Sequence, residues 1–566
     1  MAGRMVRPST PRSFDIPTAL IRDAMTPSLF RTLRAGYGLS DFRADASAGL
    51  TVAIVALPLS MAIAIAAGVS PSMGLATAIV GGFLVSALGG SRYQIGGPAG
   101  AFIVLIAGAL QAHGLDGLIL ATMMAGVLLA LMGWLRLGAY VQFIPFPVTV
   151  GFTAGIAAII FASQIKPLLG LTLPGPEPAD LVHKLLALWA ALPTLSPATC
   201  ALSAGTVALM LALKRWRPHW PRMLIGVAGA ALVAVAADLP VATIAGTFGA
   251  LPARLPLPQL PALSLDKAIE VLPVAVSFAL LGAIESLLSA VVADGMSGER
   301  HSSNAELVAQ GAANVGAALF GGFCVTGTIA RTATNVRAGA RSPIAGMLHA
   351  VFLLAFLMVA APLVGFIPLA ALAAVLALVC WDMVEKPAIA ALTRASRGDA
   401  AVLYVTLALT VLRDLTEAIV VGFALGAMLF IHRMSRAVEV APHAEDEAPG
   451  AVSTPEAMIY RVRGALFFGA VSAVAAVLER LDDDHKALIV DFTDVTLADS
   501  SAAHMIEGLA HKAHRRGTAI YLTGATPALR RELLTQGVRP PLVHYAATIE
   551  TALESARRRG LIPAAA

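Results

Sequence analysis

Residues 320–343 read Phe-Gly-Gly-Phe-Cys-Val-Thr-Gly-Thr-Ile-Ala-Arg-Thr-Ala-Thr-Asn-Val-Arg-Ala-Gly-Ala-Arg-Ser-Pro, and how this stretch is taken decides the fold. It lies between two long apolar segments. Yet it is too short, too rich in Gly and Thr and, at Arg331, too charged for an ordinary membrane span. A stretch of similar build runs from Gly89 to Leu110, where Gly-Gly-Ser-Arg-Tyr-Gln-Ile-Gly-Gly-Pro-Ala-Gly precedes an apolar run of limited length. Two short, Gly-interrupted segments at matching places in two halves of a membrane protein point to a transporter's binding site.

The surrounding composition fits that reading. The 566 residues are 57% hydrophobic and 13% charged, with a mean hydropathy of +0.78, which indicates a polytopic membrane protein and not a soluble globular one. The net charge of +5 is small for this length and lies in loops and at the N-terminus. It therefore reads as membrane orientation, and no nucleic-acid partner is expected. Cys200, Cys324 and Cys380 lie in or beside apolar segments without metal-ligand spacing, so they read as small buried hydrophobes. No metal or cofactor is expected. The first 45 residues are polar and Arg-rich, without an apolar stretch and cleavage site, so targeting is expected to come from the first span.

Fourteen spans are expected, at 46–67, 74–90, 98–111, 116–135, 145–164, 197–214, 223–238, 268–292, 304–320, 328–338, 344–362, 365–383, 399–413 and 416–433. Parity supports this division, because loops after even-numbered spans carry the basic residues. Arg136 follows the fourth, Lys214, Arg215, Arg217 and Arg222 the sixth, Arg300 the eighth, Arg337 and Arg341 the tenth, and Lys386, Arg394 and Arg397 the twelfth. Both termini are then expected in the cytoplasm of a bacterial-type inner membrane, within the lipid bilayer's positive-inside rule. The spans split into two sets of seven, each with its short span third. An odd number per set forces opposite orientations, the inverted-repeat plan of secondary transporters.

The composition changes after Arg436. The expected domains are a cytoplasmic N-terminal region (1–45), a transmembrane domain (46–436), an acidic linker (437–454) and a small α/β domain (455–566). In the last, Met458–Arg463 and Leu466–Gly469 read as strands, Val471–Leu481 as a helix and Ala487–Phe492 as a buried strand. Ser501–Arg516 reads as a helix, Ala519–Thr523 as a strand, and Pro527–Gln536 and Ile549–Arg559 as helices.

Chemistry concentrates in the two short segments. If helices begin at Pro98-Ala99-Gly100-Ala101-Phe102 and near Thr326-Gly327-Thr328-Ile329-Ala330, their first N–H groups lack intrahelical partners and their dipoles favour an anion. Gly97, Gly100 and Gly327 would let a ligand approach the backbone, and Pro98 suits a first helical turn. Short packing elements are the plainer alternative. Arg331, at the start of the tenth span, needs an anion, a carboxylate or a water-filled cavity, unless it snorkels to the interface. Glu285 is the one acid well inside the eighth span. It suits a proton carrier, a Na⁺ ligand beside Ser286 or Ser289, or a static partner of Arg331. Asp294, Glu299, Glu306, Asp382, Asp414 and Glu417 sit at span ends, where solvated or capping roles are expected. No nucleophile–base pair, phosphate loop or histidine cluster stands out, so enzymatic activity is not expected.

Leu57–Gly68, Gln94–Gly100, Ala293–Met296, His301–Asn304 with Gln310–Asn314, and Ala330–Asn335 resemble, in order, motifs of the sulfate permease family, also called solute carrier family 26. Asp491–Val495 and Ala498–Ala502 resemble its C-terminal sulfate transporter and anti-sigma-factor antagonist (STAS) domain. The resemblance implies core and gate domains, a homodimer, and an anion held between the third and tenth helices, facing the first and eighth. Carried onto this sequence, the binding residues are Pro98, Ala99, Gly100, Ala101, Phe102, Gly327, Thr328, Ile329, Ala330 and Arg331, with Leu59 and Ser60 opposite. Glu285 and Ser289 are then the coupling residues. Many sulfate-type members have Pro-Gln-Gly-Met where this chain has Pro58-Leu59-Ser60-Met61, a departure that weighs against sulfate. Sodium-coupled members favour Asp in the eighth span and a hydroxyl before the Arg motif. Glu285 and Ile329 stand in those places, which favours a proton. Related soluble antagonists are phosphorylated at the position of Ser500 or Ser501, which implies a possible regulatory site and a STAS-binding protein partner, although N-capping by Asp499 or Ser500 is the simpler role.

The sequence thus points to a proton-coupled symporter of a small anion such as bicarbonate, a C4-dicarboxylate or sulfate. A sodium-coupled bicarbonate transporter, or an anion channel or sensor with a partner-recruiting STAS domain, are the alternatives.

Overall fold

The computed structural model describes residues 26–141, 145–175, 177–178, 180–217, 220–250, 252–261, 264–413, 415–442, 457–468 and 486–563. The chain divides into two compact units, Met1–Phe423 and Ala424–Ala566.

The first unit is a stack of helices around two very short strands. After α1 (Ser28–Ala35) come α2 (Leu39–Ala66) and α3 (Pro71–Leu88), then β1 (Gly96–Gly97) and α4 (Gly100–Trp134). α5 (Phe146–Leu169), α6 (Leu181–Ala190), α7 (Pro197–Trp216) and α8 (Arg222–Ala236) lead to α9 (Leu265–Ser297) and α10 (Ser303–Leu319). β2 (Thr326–Gly327) then opens into α11 (Ile329–Arg337), followed by α12 (Ile344–Val364), α13 (Leu369–Met383), α14 (Lys386–Ala395), α15 (Arg397–Leu412) and α16 (Leu415–Arg436), within which the boundary of the two units falls. Among the described residues, 8 helices are long and apolar enough to cross a membrane. The expected third and fourth spans form one run, α4, broken at Gly114, whose φ of 69° leaves the helical path between them.

These helices pack through small residues, as membrane helices must when lipid offers no hydrophobic gain over a neighbouring side chain. α4 meets α10 at Gly126 and Gly311, where an added Cβ would come within 2.7 and 2.6 Å of the opposing backbone. At Gly49, α2 touches α12 closely enough that a Cβ would stand 3.0 Å from the His349 amide nitrogen. Elsewhere Leu232, Val359 and Leu363 lie exposed, as a face turned to lipid requires.

In the second unit a five-stranded sheet has the order β3-β4-β5-β6-β7, with β3 (Glu439–Pro442), β4 (Ala457–Leu466), β5 (Ala487–Ala498), β6 (Ala519–Thr523) and β7 (Val543–Ala546). β4 to β7 pair in parallel and β3 adds antiparallel to the edge. α17 (Ser500–Arg515), α18 (Pro527–Thr535) and α19 (Ile549–Arg558) complete it. Three expectations change. Residues 439–442, assigned to the linker, form β3. The separate strand at Leu466 is the end of β4, because one extended run pairs with β5 throughout. β7, only four residues long, was not expected. The helix expected at 471–481 lies outside the described residues.

Candidate functional site

The two Gly-rich stretches meet each other. β1 and β2 form an antiparallel pair with Gly96 opposite Gly327 and Gly97 opposite Thr326. Thr328 extends it by donating its backbone N–H (2.9 Å) and its hydroxyl (3.1 Å) to the Ile95 carbonyl. β1 leads through Pro98 and Ala99 into α4, and β2 through Thr328 into α11, so both helices begin beside this ladder. A side chain at Gly327 would overlap Gln94, so only glycine lets the strands close.

α11 starts at Ile329 after Thr328, and α4 opens with a tight turn at Gly100–Phe102 after Ala99. Pro98 is therefore not in the first helical turn as expected. It stands one residue before the cap, because Ala99 is still in extended backbone and the first turn begins only at Gly100. Its role is carried by its carbonyl, which accepts from Arg331 Nη2 at 3.1 Å. The guanidinium lies against Gly97, where any Cβ would overlap Nη1. Arg331 is 1% exposed, and among the described residues its Nε and Nη1 have no acceptor. It thus sets a buried, incompletely satisfied cation against Gly97 and Pro98, just before the start of α4, and does not snorkel.

The other expected residues divide by exposure. Gly100 and Ile329 are half-buried and Ala330 is exposed, while Ala99, Ala101, Gly327 and Thr328 are buried. Phe102 serves packing: its ring meets Phe278 of α9 edge-on at 5.9 Å, and its N–H returns to the Ala99 carbonyl. Leu59 and Ser60 are buried on α2. Leu59 shares an apolar cluster with Ala99 and Phe102, whereas Ser60 abuts Gly74 of α3 and its hydroxyl has no partner among the described residues. Ile160 of α5 and Met383 of α13, which the sequence did not single out, come against Gly100, at 3.5 and 3.8 Å from where its Cβ would be.

α9 is strapped to the ladder by hydroxyls. Ser286 Oγ accepts from the Gly327 N–H (3.1 Å) and pairs with Thr326 Oγ1 (2.9 Å), and its carbonyl accepts from Gln94 Nε2 (3.1 Å). Ser289 donates to Thr332 Oγ1 (3.1 Å), which also accepts the Ile95 N–H (3.1 Å). Ser289 is thus a strut whose hydroxyl hydrogen is committed. Glu285, between these straps, is 8% exposed, and no hydrogen bond or ion pair reaches its carboxylate among the described residues. The static pair with Arg331 is not formed.

Two further expectations change away from the ladder. Glu306 is not solvated: it is fully buried and accepts from the Gly90 and Ser91 N–H groups and from Gln310. Its partners are far away in sequence, so its position at a helix start misled. A nucleophile–base arrangement also exists, since His301 Nδ1 meets Asp294 (2.7 Å) and its Nε2 meets Ser303 Oγ (3.0 Å). The Asp294 carboxylate also holds the His301 N–H (3.1 Å), so the set fastens the turn between α9 and α10.

In the second unit Asp499 caps α17, accepting from the Ala502 N–H at 2.9 Å, which leaves Ser500 exposed and Ser501 half-buried in the first turn. Buried Asp491 accepts from Thr493 (2.6 Å), Thr523 (3.1 Å) and Arg461 (2.9 Å). Burial pushes this carboxyl up, but the hydrogen bonds from Thr493 and Arg461 outweigh it and hold it below the usual carboxylate value.

Comparison with known proteins agrees with this architecture. Residues 42–406 match the sulfate permease family, and residues 448–552 match the STAS domain. YvdB of Bacillus subtilis (strain 168), named for sulfate transport, is 40% identical over 494 residues, covering 86% of this chain and 92% of its own. The bicarbonate transporter BicA of Synechocystis sp. (strain ATCC 27184 / PCC 6803 / Kazusa) is 31% identical, covering 87% and 90%. The murine solute carrier 26 family member A9 anion transporter, solved in the inward-facing state, superposes with a TM-score of 0.84 at 18% identity, covering 97% of this chain and 96% of that one.

Proposed function

This chain belongs to the sulfate permease family, and on that premise we propose that it is a secondary transporter, not an enzyme, that couples uptake of a small anion to a proton by alternating access. The observation that carries the reading is the pair of helix starts at one ladder, with a buried Arg331 whose Nε and Nη1 have no acceptor among the described residues. Helix N-termini and a guanidinium together favour an anion there. Glu285, buried on the helix strapped to the same ladder, is the proton carrier in this account. An unpaired carboxyl in apolar surroundings is more readily kept neutral than charged, so its ionisation can be tied to the arrival of the anion.

Gly100 meets Ile160 and Met383, and in an alternating-access cycle this contact is made and broken as α5 and α13 move against the ladder. The fourteen spans as inverted repeats of seven, core and gate domains, a homodimer and cytoplasmic termini in a bacterial inner membrane complete the proposal. So do the boundaries at 45 and 436, with residues 439–442 counted in the C-terminal domain whose sheet they join. Phosphorylation at Ser500 or Ser501 would place charge at the start of α17, where the dipole favours it, and so offers a handle for a STAS-binding protein.

The test is uptake into proteoliposomes of bicarbonate, sulfate, a C4-dicarboxylate and chloride, with and without an inward proton gradient. Acceleration of at least one by the gradient in the wild type, and none in Glu285→Gln, supports the proposal. Uptake that requires Na⁺ at constant pH would move the assignment to sodium coupling, and currents beyond a carrier's capacity would move it to a channel.

A further inference from the structure

An open groove between α5 and α7 leads to a cluster of cations that the transport scheme does not use. The groove has a volume of about 520 Å³ and is lined by Leu168 and Leu169 of α5 and by Cys200, Val207, Ala208 and Leu211 of α7. Its polar side chains are turned to backbone. Ser203 donates its hydroxyl to the Leu168 carbonyl (2.8 Å) and Cys200 its thiol to the Leu169 carbonyl (3.6 Å), so the surface left in the groove is apolar. Cys200, Ala204, Ala208 and Leu211 follow one face of α7 at helical spacing, and the next turn of that face carries Lys214 and Arg215.

Lys214 belongs to a set of charges drawn from helices that pack on one another, α7, α8 and α13. Asp382, near the end of α13, accepts from Lys214 Nζ (3.2 Å) and from Arg222 Nη2 at the start of α8 (3.1 Å). Beside it in the chain is Trp381, whose ring has Lys386 Nζ 3.3 Å from its centroid. Arg215 and Arg217 are exposed, and among the described residues neither has a carboxylate partner. The cluster thus sets five cations against two carboxylates, Asp382 and Glu385, and Asp382 is already shared. Trp216, Trp220 and Trp381 stand 77%, 56% and 65% exposed at the same end. Exposed Trp beside Lys and Arg at helix ends is the composition of a membrane–water interface.

An apolar groove with an excess of positive charge one turn beyond it matches an amphiphile with an acidic head. A second copy of this chain, packed face to face, would set like charges against each other. A free phosphate would meet the cations and leave the groove empty. We propose that this is a binding site for an anionic phospholipid, with an acyl chain along α7 in the groove and the phosphodiester held by Lys214, Arg215 and Arg217. Basic pockets between membrane helices take acidic headgroups in this way, and the indole rings, apolar with one polar edge, suit the level between head and chain. The site stands whether or not the ladder binds an anion.

The test measures thermal unfolding of the full-length protein in detergent with phosphatidylglycerol, phosphatidylcholine or glycerol phosphate added, and takes an apparent affinity from the rise in midpoint. Phosphatidylglycerol should raise the midpoint by several degrees, and the other two much less. The double variant Arg215→Gln/Arg217→Gln, which leaves the Asp382 pairs intact, should weaken that affinity about tenfold or more. Ala208→Trp, at an exposed position, fills the groove and should abolish the rise while the oligomeric mass stays that of the wild type. An equal rise with glycerol phosphate would assign the cluster to free phosphate, and an equal rise with phosphatidylcholine would remove the role of charge. Either result would overturn the proposal. So would a full response in the Arg variant or in Ala208→Trp, a changed oligomeric mass in Ala208→Trp, or loss of the response in Lys166→Gln, at the opposite end of the groove, in place of the Arg variant.

Discussion

The two halves of the ladder look alike in backbone and differ in side chains. Each is a two-residue strand of a Gly-rich stretch that runs into a helix start. The β1 half contributes no charge: it offers the Pro98 carbonyl, the bare Gly97 and the half-buried Gly100 facing Ile160 and Met383. The β2 half contributes Arg331, which reaches across to the first half, and Thr332, which holds Ile95 and Ser289. The antiparallel pair of similar backbones thus gives the cation to one side and the room for it to the other. The glycines are where the division is enforced, since a side chain at Gly97 would displace the guanidinium.

The largest effect should come from removing that asymmetry at its source. Arg331→Gln is expected to lower kcat/KM for uptake about 100-fold, at the upper end for a hydrogen bond to a charged group. Arg331→Lys should recover only part, because an ammonium cannot hold the Pro98 carbonyl and an anion in one plane. Next is Gly97→Ala, which leaves every polar group in place but crowds Nη1. A roughly tenfold loss of affinity with normal expression would show that the β1 half acts by making room, and an unchanged KM would show that it does not.

Third is Asp491→Ala in the second unit, which should destabilise that unit by about 3 kcal/mol, as when one partner of a buried pair is removed, without changing anion KM. Limited proteolysis of the full chain would read it. The pH dependence follows the same group. Its folded-state value lies below the usual one, so its contribution is fully present above about pH 4 and is lost as pH falls through the lower folded value. Ser289→Ala should have the smallest effect, about 1 kcal/mol for one strut, whereas Thr332→Val, which also strands the Ile95 N–H, should cost more. Unfolding midpoints of the two variants would rank them.

Much of this was legible from residues. The short segments, Arg331 and Glu285 were read from apolar length and misplaced charge, though not that the two side chains stay unpaired, and the helix starts fall within two residues of expectation at 100 and 329. The ladder itself was not legible, since two residues carry no periodicity. Nor were the straps, because Gln94 meets Ser286 and Ile95 meets Thr332 across 192 and 237 residues of sequence. Glu306 shows the same limit, for a buried acid capping Gly90 and Ser91 looks in sequence like any acid in a first helical turn. β3 and β7 were too short, at four residues each, to stand out from linker and loop.

The central claim is that the anion sits at the ladder and is held by Arg331. Initial uptake rates in proteoliposomes, for the wild type and Arg331→Gln, with bicarbonate, sulfate, a C4-dicarboxylate and chloride under an inward proton gradient, test it most directly. The account predicts saturable, gradient-accelerated uptake of at least one anion by the wild type and its near-complete loss in the variant. Uptake by Arg331→Gln at the wild-type rate and affinity would contradict it.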